Sequence, residues 1–523
     1  MRPFGAFGKK LKTLVKKYIN DLKKEFKGYN LSSLTKDIMA GLTVCAVALP
    51  LAIAFGVGSG ADAAAGLITA ILSGIVMSLL SGASFQISGP TGAMTAVLMV
   101  IVAKYGLNGV FVASLFAGII ILICGIFKLG KLVGLIPMPV VTGFTSGIAV
   151  IIAMGQIDNF FGTTSVGETA LEKIGSYSEL GFPPNLQAVI CGLAVIAIMV
   201  VYPKKWNAKV PSSLISIIIV GILSYVLKFD VAKVGDIPRT LLPENRLILG
   251  SLDFSSITGL ISPAITIAAL GMIESLLCGA SASRMKNEEF DADRELIAQG
   301  VGNIIIPFFG GVPSTAAIAR TSVAIKSGCQ TRLCGVFHSV ALLASMFLLG
   351  PVMAQLPLSA LAGVLMVTAW RMNEWHMIKE FFSKKMLGAV SKFLITMIAT
   401  VVFDLTVAIV IGIVYSLVLF AIKVLKHKAT KQCKLGTDIL EDGECATIKL
   451  YGCMAFVNVP KLKSVFEGIK GKYNRITIDT QAVTVCDTSG VYALKDIKNE
   501  LGAEIVNINK SQEALFLKSG VTK

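Results

Sequence analysis

Charge is what this 523-residue chain lacks most. Asp, Glu, Lys and Arg together make up 15% of it, where a soluble domain carries about 25%. Hydrophobic residues reach 54% and the mean hydropathy is +0.75. Such a chain cannot cover its surface in water, so a lipid bilayer must solvate most of it, which excludes the soluble enzyme classes. Histidine is also scarce. His338, His376 and His427 make no ligand spacing with cysteine or carboxylate, so neither a metal site nor a cofactor is expected. The ten cysteines form no CxxC pair. Cys45, Cys124, Cys191 and Cys278 lie in apolar runs and read as small core residues. Cys433, Cys445, Cys453 and Cys486 face a reducing cytosol, so no disulfides are expected. No nucleophile and base share a spacing, which argues against an enzyme. No nucleic-acid readout motif accompanies the net charge of +16, and no signal-peptide apolar core or cleavage site opens the chain.

What is present is a series of apolar runs from Ile38 to Ile422. At about 20 residues per span, they predict about fourteen membrane helices. The basic stretch 1–36 reads as a cytosolic segment on an anionic inner leaflet. Residues 37–424 read as the membrane domain, 425–436 as a basic linker and 437–523 as a cytosolic domain. Loop charges set the topology. Asp158, Glu168, Glu172 and Glu179 place Gly155 to Leu180 outside. Basic loops at Lys128 and Lys131, Tyr202 to Lys209, and Trp370 to Lys385 lie inside. Both termini are then cytoplasmic, in a cell inner (plasma) membrane.

Two Gly/Pro interruptions stand in corresponding apolar units, seven apart. Gly89-Pro90-Thr91-Gly92 breaks the third and Gly310-Gly311-Val312-Pro313-Ser314-Thr315 breaks the tenth. Paired breaks of this kind point to a transporter binding site, and an odd separation implies inverted halves. Non-helical backbone survives in a membrane only where it is buried in protein or lines a cavity. Ser84 to Ser88 reads as extended, Pro90 as the first turn of a new helix, and Pro313 with Ser314 and Thr315 as a repeat of that arrangement. Two facing helix starts, each electropositive, make an anion site without a lysine. Glu274 is the one charge between Ile265 and Leu277, and burying it costs about 2.5–3.5 kcal/mol. It reads as a coupling-ion site or as the partner of Arg320. Asp404 reads as interfacial.

In the tail, strands are predicted at Ala446–Tyr451, Arg475–Asp479 and Glu504–Ile508. Helices are predicted at Pro460–Lys470, Gly490–Leu501 and Ser511–Lys518. Asp487, Thr488 and Ser489, between a strand and a helix, read either as a plain N-cap or as a regulatory site for phosphorylation or phosphate sensing.

Ala40-Gly-Leu-Thr-Val44, Ala48-Leu-Pro-Leu-Ala-Ile-Ala-Phe55, Phe85-Gln-Ile-Ser-Gly-Pro-Thr-Gly92, Arg294-Glu-Leu-Ile-Ala-Gln-Gly300 and Ile318-Ala-Arg-Thr321 resemble the SulP family of anion transporters. The Asp487-Thr-Ser-Gly490 tail motif resembles that family's STAS domain. The resemblance implies an α-helical polytopic membrane protein with a seven-plus-seven inverted repeat divided into core and gate. It also implies elevator-type alternating access, a homodimer and a small α/β STAS domain. It implies a substrate held by Phe55, Gln86, Thr91, Gly92, Ala93, Ser314, Thr315, Ala316, Ala319 and Arg320, with Glu274 as the coupling-ion residue. Sodium-driven bicarbonate members resemble a pattern with Asp at the Glu274 place and Ser or Thr four residues on. Cys278 stands there instead, which favours a proton over sodium. The expected activity is secondary active transport of sulfate, bicarbonate or a dicarboxylate. The alternatives are a STAS-regulated anion exchanger or channel, a sodium-coupled bicarbonate transporter, and a nucleobase carrier, against which Leu51 and Phe55 argue. The loop from Ser283 to Asp293 is more acidic than the resemblance leads one to expect.

Overall fold

The computed structural model describes residues 16–130, 136–167, 170–203, 206, 210–248, 250, 257–286, 288, 290–403, 405–426 and 434–521. Asp404, Glu168, Lys131, Lys428 and most of the basic linker lie outside them. The chain divides into two compact units that interleave in sequence. One comprises residues 1–127, 158–163 and 183–364; the other comprises 128–157, 164–182 and 365–523.

In the first unit, α1 (Leu31–Gly58) starts at Asn30, whose side chain accepts from Ser33 N. The helix therefore begins six residues before the predicted boundary at 37. A tight turn leads to α2 (Ala63–Leu80), capped by Asp62. The two helices touch backbone to backbone: a Cβ on Gly66 would lie 2.0 Å from Ala52 O, the small-residue packing that membrane helices favour. The chain then runs without helix through β1 (Ser88–Gly89) into α3 (Gly92–Ile126). That helix is two segments, because Gly106 sits at φ 67° and ψ −177°, a backbone state open to glycine but not to a continuing helix. Next come α4 (Met138–Gly155) and α5 (Ile157–Phe161), then α6 (Ala170–Leu180), α7 (Leu186–Val201) and α8 (Ser212–Val226). Of these, α4 and α6 belong to the second unit. The first unit continues with α9 (Ile257–Lys286), α10 (Ala292–Ile305), β2 (Thr315–Ala316), α11 (Ile318–Lys326), α12 (Leu333–Met353) and the start of α13 (Leu358–Met372).

Residues 16–25 are helical and fastened to this unit by their acidic and aromatic side chains. Arg294 Nη1 donates to Asp21 at 2.8 Å. Glu25 receives the Arg332 amide, Nε and Nη2 at 2.7–2.9 Å. The Tyr18 ring stacks under Arg294 at 4.5 Å, and its hydroxyl donates to Leu79 O. Lys17 pairs with Asp291. Burial alone would raise the Asp291 carboxyl, but hydrogen bonds from Lys17 and the Arg294 amide, with their charges, hold it below its usual range. These contacts refine the reading of 1–36 as a segment lying on lipid, which counted lysines and overlooked Asp21 and Glu25. Two carboxylates of the acidic loop are held as well: Asp291 pairs with Lys17, while Glu288 accepts from Ser84 and pairs with Lys286 at 2.8 Å. Removing one partner of a buried pair leaves a charge uncompensated. Glu25→Ala is expected to destabilise the detergent-solubilised protein by about 3 kcal/mol, read as a lowered melting temperature. An unchanged melting temperature would mean that the segment is not fastened.

The second unit holds α4, the amphipathic α14 (Trp375–Ser383), α15 (Leu387–Val402), α16 (Leu405–Lys426) and the C-terminal α/β fold. The sheet runs β3 (Leu435–Asp442), β4 (Cys445–Met454), β5 (Arg475–Cys486), β6 (Glu504–Val506). The first pair is antiparallel and the other two pairs are parallel. Helices α17 (Val459–Glu467), α18 (Thr488–Leu501) and α19 (Glu513–Ser519) cover it around Leu450, Phe466, Ile478, Leu494 and Phe516. β3 was not predicted, and it begins at Leu435, inside the stretch read as linker. Asp487 caps α18 by accepting from Gly490 N at 2.9 Å and also accepts from Phe456 N. This domain packs on helices of its own unit. Ser489 Oγ accepts from Met138 N at 3.1 Å, Tyr492 meets Phe381 edge-on, and Lys495 approaches Glu380 at 3.8 Å.

Among the described residues, seven helices are long and apolar enough to cross a membrane. Four shorter apolar ones accompany them: α7, α8, α13 and α15.

Candidate functional site

The two Gly/Pro breaks meet in the first unit. β1 and β2 pair antiparallel, Ser88 opposite Ala316 and Gly89 opposite Thr315. Antiparallel strands carry the chain away in opposite directions. The helices that follow, α3 and α11, therefore start at opposite ends of the two-residue ladder, each with its first N–H groups unpaired within the helix. Both prolines stand further upstream than predicted. Pro90 precedes the cap residue Thr91 and is not in the first turn of α3. Pro313 lies four residues ahead of Ala317, the cap of α11, because β2 intervenes.

Glu274, from the middle of α9, joins the two sides. Thr91 Oγ1 donates to Glu274 Oε2 at 2.8 Å and Thr315 Oγ1 donates to the same oxygen at 2.6 Å. The two threonine oxygens lie 3.3 Å apart. One carboxylate oxygen thus bridges the first break to the second, and Oε1 receives neither hydroxyl. As the cap of α3, Thr91 also accepts from Met94 N at 3.4 Å.

Arg320 is buried at 1% exposure and makes no ion pair with Glu274. Its Nη2 donates to Pro90 O at 2.6 Å, tying α11 to the first break. Nη1 has no hydrogen-bond partner. Its guanidinium lies so close over Gly89 that a Cβ there would stand 2.0 Å from Nη1.

The other predicted residues take several positions. Gln86 is buried, its Nε2 donating to Ser275 O, the carbonyl next to Glu274, at 2.8 Å. Ser314 is fully buried, and its Oγ has no hydrogen-bond partner. Ala93 and Ala316 are buried, so only their backbone is available. Gly92 is the first residue of α3. Phe55 is buried, and its carbonyl accepts from Thr95 Oγ1. Ala319 is exposed. Three further residues brace the breaks. Ser275 Oγ accepts from Ala316 N. Thr321 Oγ1 accepts from Ile87 N. Thr69 Oγ1 accepts from Val312 N and donates to Val312 O. Ser275 carried a usable signal: a hydroxyl directly beside the lone carboxylate of the Ile265–Leu277 run.

A polar junction between two interrupted helices, buried in an apolar protein, is the architecture of a carrier site. The description "Sulfate permease family" matches residues 34–399. The chain belongs to the sulfate permease family. This member is 33% identical over 522 residues to "Putative sulfate transporter YvdB" of Bacillus subtilis (strain 168), covering 95% of this chain and 96% of that one. It is 32% identical over 392 residues to "Bicarbonate transporter BicA" of Picosynechococcus sp., covering 72% and 68%. The solved transmembrane domain of a cyanobacterial bicarbonate transporter BicA superposes with a TM-score of 0.67 at 28% identity, over 73% of this chain and 98% of that one. The murine Slc26a9 anion transporter in its inward-facing state gives 0.69 over 95% and 89%; at 15% identity this concerns the fold alone. The sulfate permease member described here is thus a multi-pass helical membrane protein of the fold shared with these structures, and a transporter of anions rather than an enzyme.

Proposed function

We propose that the chain is a proton-coupled secondary carrier of a small anion, whether sulfate, bicarbonate or a dicarboxylate, bound between the helix starts of α3 and α11. The observation that carries this reading is the convergence of Thr91 and Thr315 on Glu274 at the junction of the breaks. A negative Glu274 beside an anion is unfavourable, so the site favours taking the anion and a proton together. Protonation also frees the two threonine hydroxyls to donate to the substrate. The substrate-binding set is then Phe55, Gln86, Thr91, Gly92, Ala93, Ser314, Thr315, Ala316, Ala319 and Arg320, with the last supplying positive potential.

The same proposal takes the membrane part as seven plus seven inverted spans working by elevator-type alternating access. In support, the seven long and four shorter apolar helices become fourteen segments once Gly106 divides α3 and the short α10 and α11 are added. The order from α1 to the second segment of α3 then corresponds to that from α9 to α12. The C-terminal α/β fold is read as a STAS domain, the assembly as a homodimer, and the location as a cell inner membrane with both termini cytoplasmic. In the regulatory reading of Asp487, Thr488 and Ser489, Asp487 serves as the cap. A phosphate on Ser489 would displace the Met138 amide and loosen the domain from α4.

Two measurements test the transport reading. Ligands that bind the folded state stabilise it, by about 2.7 kcal/mol at a hundredfold excess over Kd. A thermal-shift panel of sulfate, bicarbonate, fumarate, nitrate and uracil should therefore respond to one or more of the first three and not to uracil. In proteoliposomes, uptake of the responding anion should be driven by an inward proton gradient without sodium. Drive by a sodium gradient alone would overturn proton coupling, and insensitivity to both would favour an exchanger or channel.

A further inference from the structure

Glu295, Gln299 and Asn303 recur at every fourth position of α10 and so share one face of that helix. All three are buried, at 0–1% exposure. Each holds a different part of the chain that leads into or through the two breaks. Glu295 Oε2 accepts from Ser81 Oγ at 2.6 Å and from Gly82 N at 3.1 Å, where the chain leaves α2. Gln299 Nε2 donates to Ser88 Oγ in β1 at 2.7 Å and to Glu295 Oε1 at 2.8 Å. Asn303 Oδ1 accepts from Ser314 N at 2.8 Å, and its Nδ2 donates to Ser314 O at 2.9 Å, one residue ahead of β2.

A two-residue antiparallel ladder cannot hold its own register in isolation, since short strand pairs depend on what packs around them. The β1–β2 junction therefore takes its geometry from elsewhere. The helix α10 is suited to impose it. It is seated backbone to backbone on α3, where a Cβ on Gly300 would fall 2.5 Å from Leu122 N.

We propose that the Glu295–Gln299–Asn303 row is the device that sets the spacing of the two helix starts, and through it the affinity for the anion. These are positioning residues: they reach the site only through Ser88 and Ser314. The inference rests on the reading of the junction as the binding site. A row that merely stabilised the fold would change how much protein folds and leave the folded fraction's affinity unchanged. A row that positions the helix starts changes affinity itself.

The test uses the full chain in proteoliposomes with whichever anion the thermal-shift panel identifies. Gln299→Met and Asn303→Leu keep side-chain volume and remove the hydrogen bonds. Each is expected to raise KM about tenfold, equivalent to one lost polar positioning contact, with Vmax per folded molecule changed much less. Asn303→Ser replaces Asn303→Leu if the latter does not give monodisperse protein, and Gln299→Met stands as an independent reading. Unchanged KM in the folded variants, with only yield or melting temperature reduced, overturns the inference. Thr91→Val, measured alongside, separates the two levels. If it raises KM while the α10 variants do not, the row is only structural and the site reading stands. If none of them moves KM, the junction is not the binding site.

Discussion

Replacing Glu274 with glutamine is expected to make anion affinity independent of pH and to abolish the acceleration of uptake by an inward proton gradient. The amide mimics the protonated acid in size and can still accept from Thr91 and Thr315, so the two breaks remain joined. What it cannot do is carry charge. Two unit negative charges about 5 Å apart repel by roughly 3 kcal/mol at an effective dielectric of about 20. That corresponds to about two orders of magnitude in affinity. The sign follows directly. In the parent protein, binding is expected to weaken as pH rises through the titration of Glu274 and the carboxylate gains its charge. In Glu274→Gln the weakening is absent, and affinity at high pH stays at the level the parent reaches only at low pH. Binding measured by thermal shift or calorimetry at several pH values separates these outcomes. A variant that kept the parent's pH dependence would assign the coupling proton to another group.

The same residue marks how far the sequence could be read. A lone carboxylate in an apolar run is conspicuous whatever it touches, and so is a Gly-Pro-Thr break, so Glu274, Thr91 and Thr315 were legible as candidates. Their convergence on one oxygen was not, because it depends on the antiparallel pairing of β1 with β2 across more than two hundred residues. Arg320 offered two readings, positive potential at the site or a partner for Glu274, and its Nη2 bonds the Pro90 carbonyl, not the carboxylate. An arginine three residues into a helix can reach a carbonyl of the facing break as readily as a carboxylate, and only packing decides. In the fold, the predicted strands β4 and β5 stood out by their Ile, Val and Thr content. β3 did not, because its edge position leaves Asp438, Glu441 and Asp442 in water and dilutes the apolar pattern. The interleaved division into two units was invisible as well. Hydropathy identifies a span but says nothing about which spans pack together, and the chain passes between the units around residues 127, 157, 163, 182 and 364.

Gly89→Ala is expected to cost stability and transport together, although it adds a single methyl group. A Cβ at this position would lie 2.0 Å from Arg320 Nη1 and 2.9 Å from Cζ, so the guanidinium must move. Elsewhere an arginine tip could swing into solvent. Here it is 1% exposed and held by Pro90 O at 2.6 Å. Moving it breaks that bond, about 1.5–3 kcal/mol for a charged donor, and leaves a buried charge with less compensation, an effect of about 3–5 kcal/mol when a partner is lost outright. Because the bond joins α11 to the first break, the loss falls on the spacing of the two helix starts. Uptake is expected to fall by about a hundredfold or more, with a lowered melting temperature. Arg320→Ala in the same chain supplies the control. It removes the clash, so the double variant should melt higher than the two single losses sum to, the signature of residues in direct contact. Transport should stay low in the double variant, because the positive potential beside the site has gone with the guanidinium. Additive effects on stability would show that Gly89 and Arg320 act independently, and parental uptake in Gly89→Ala would remove this junction from the transport path.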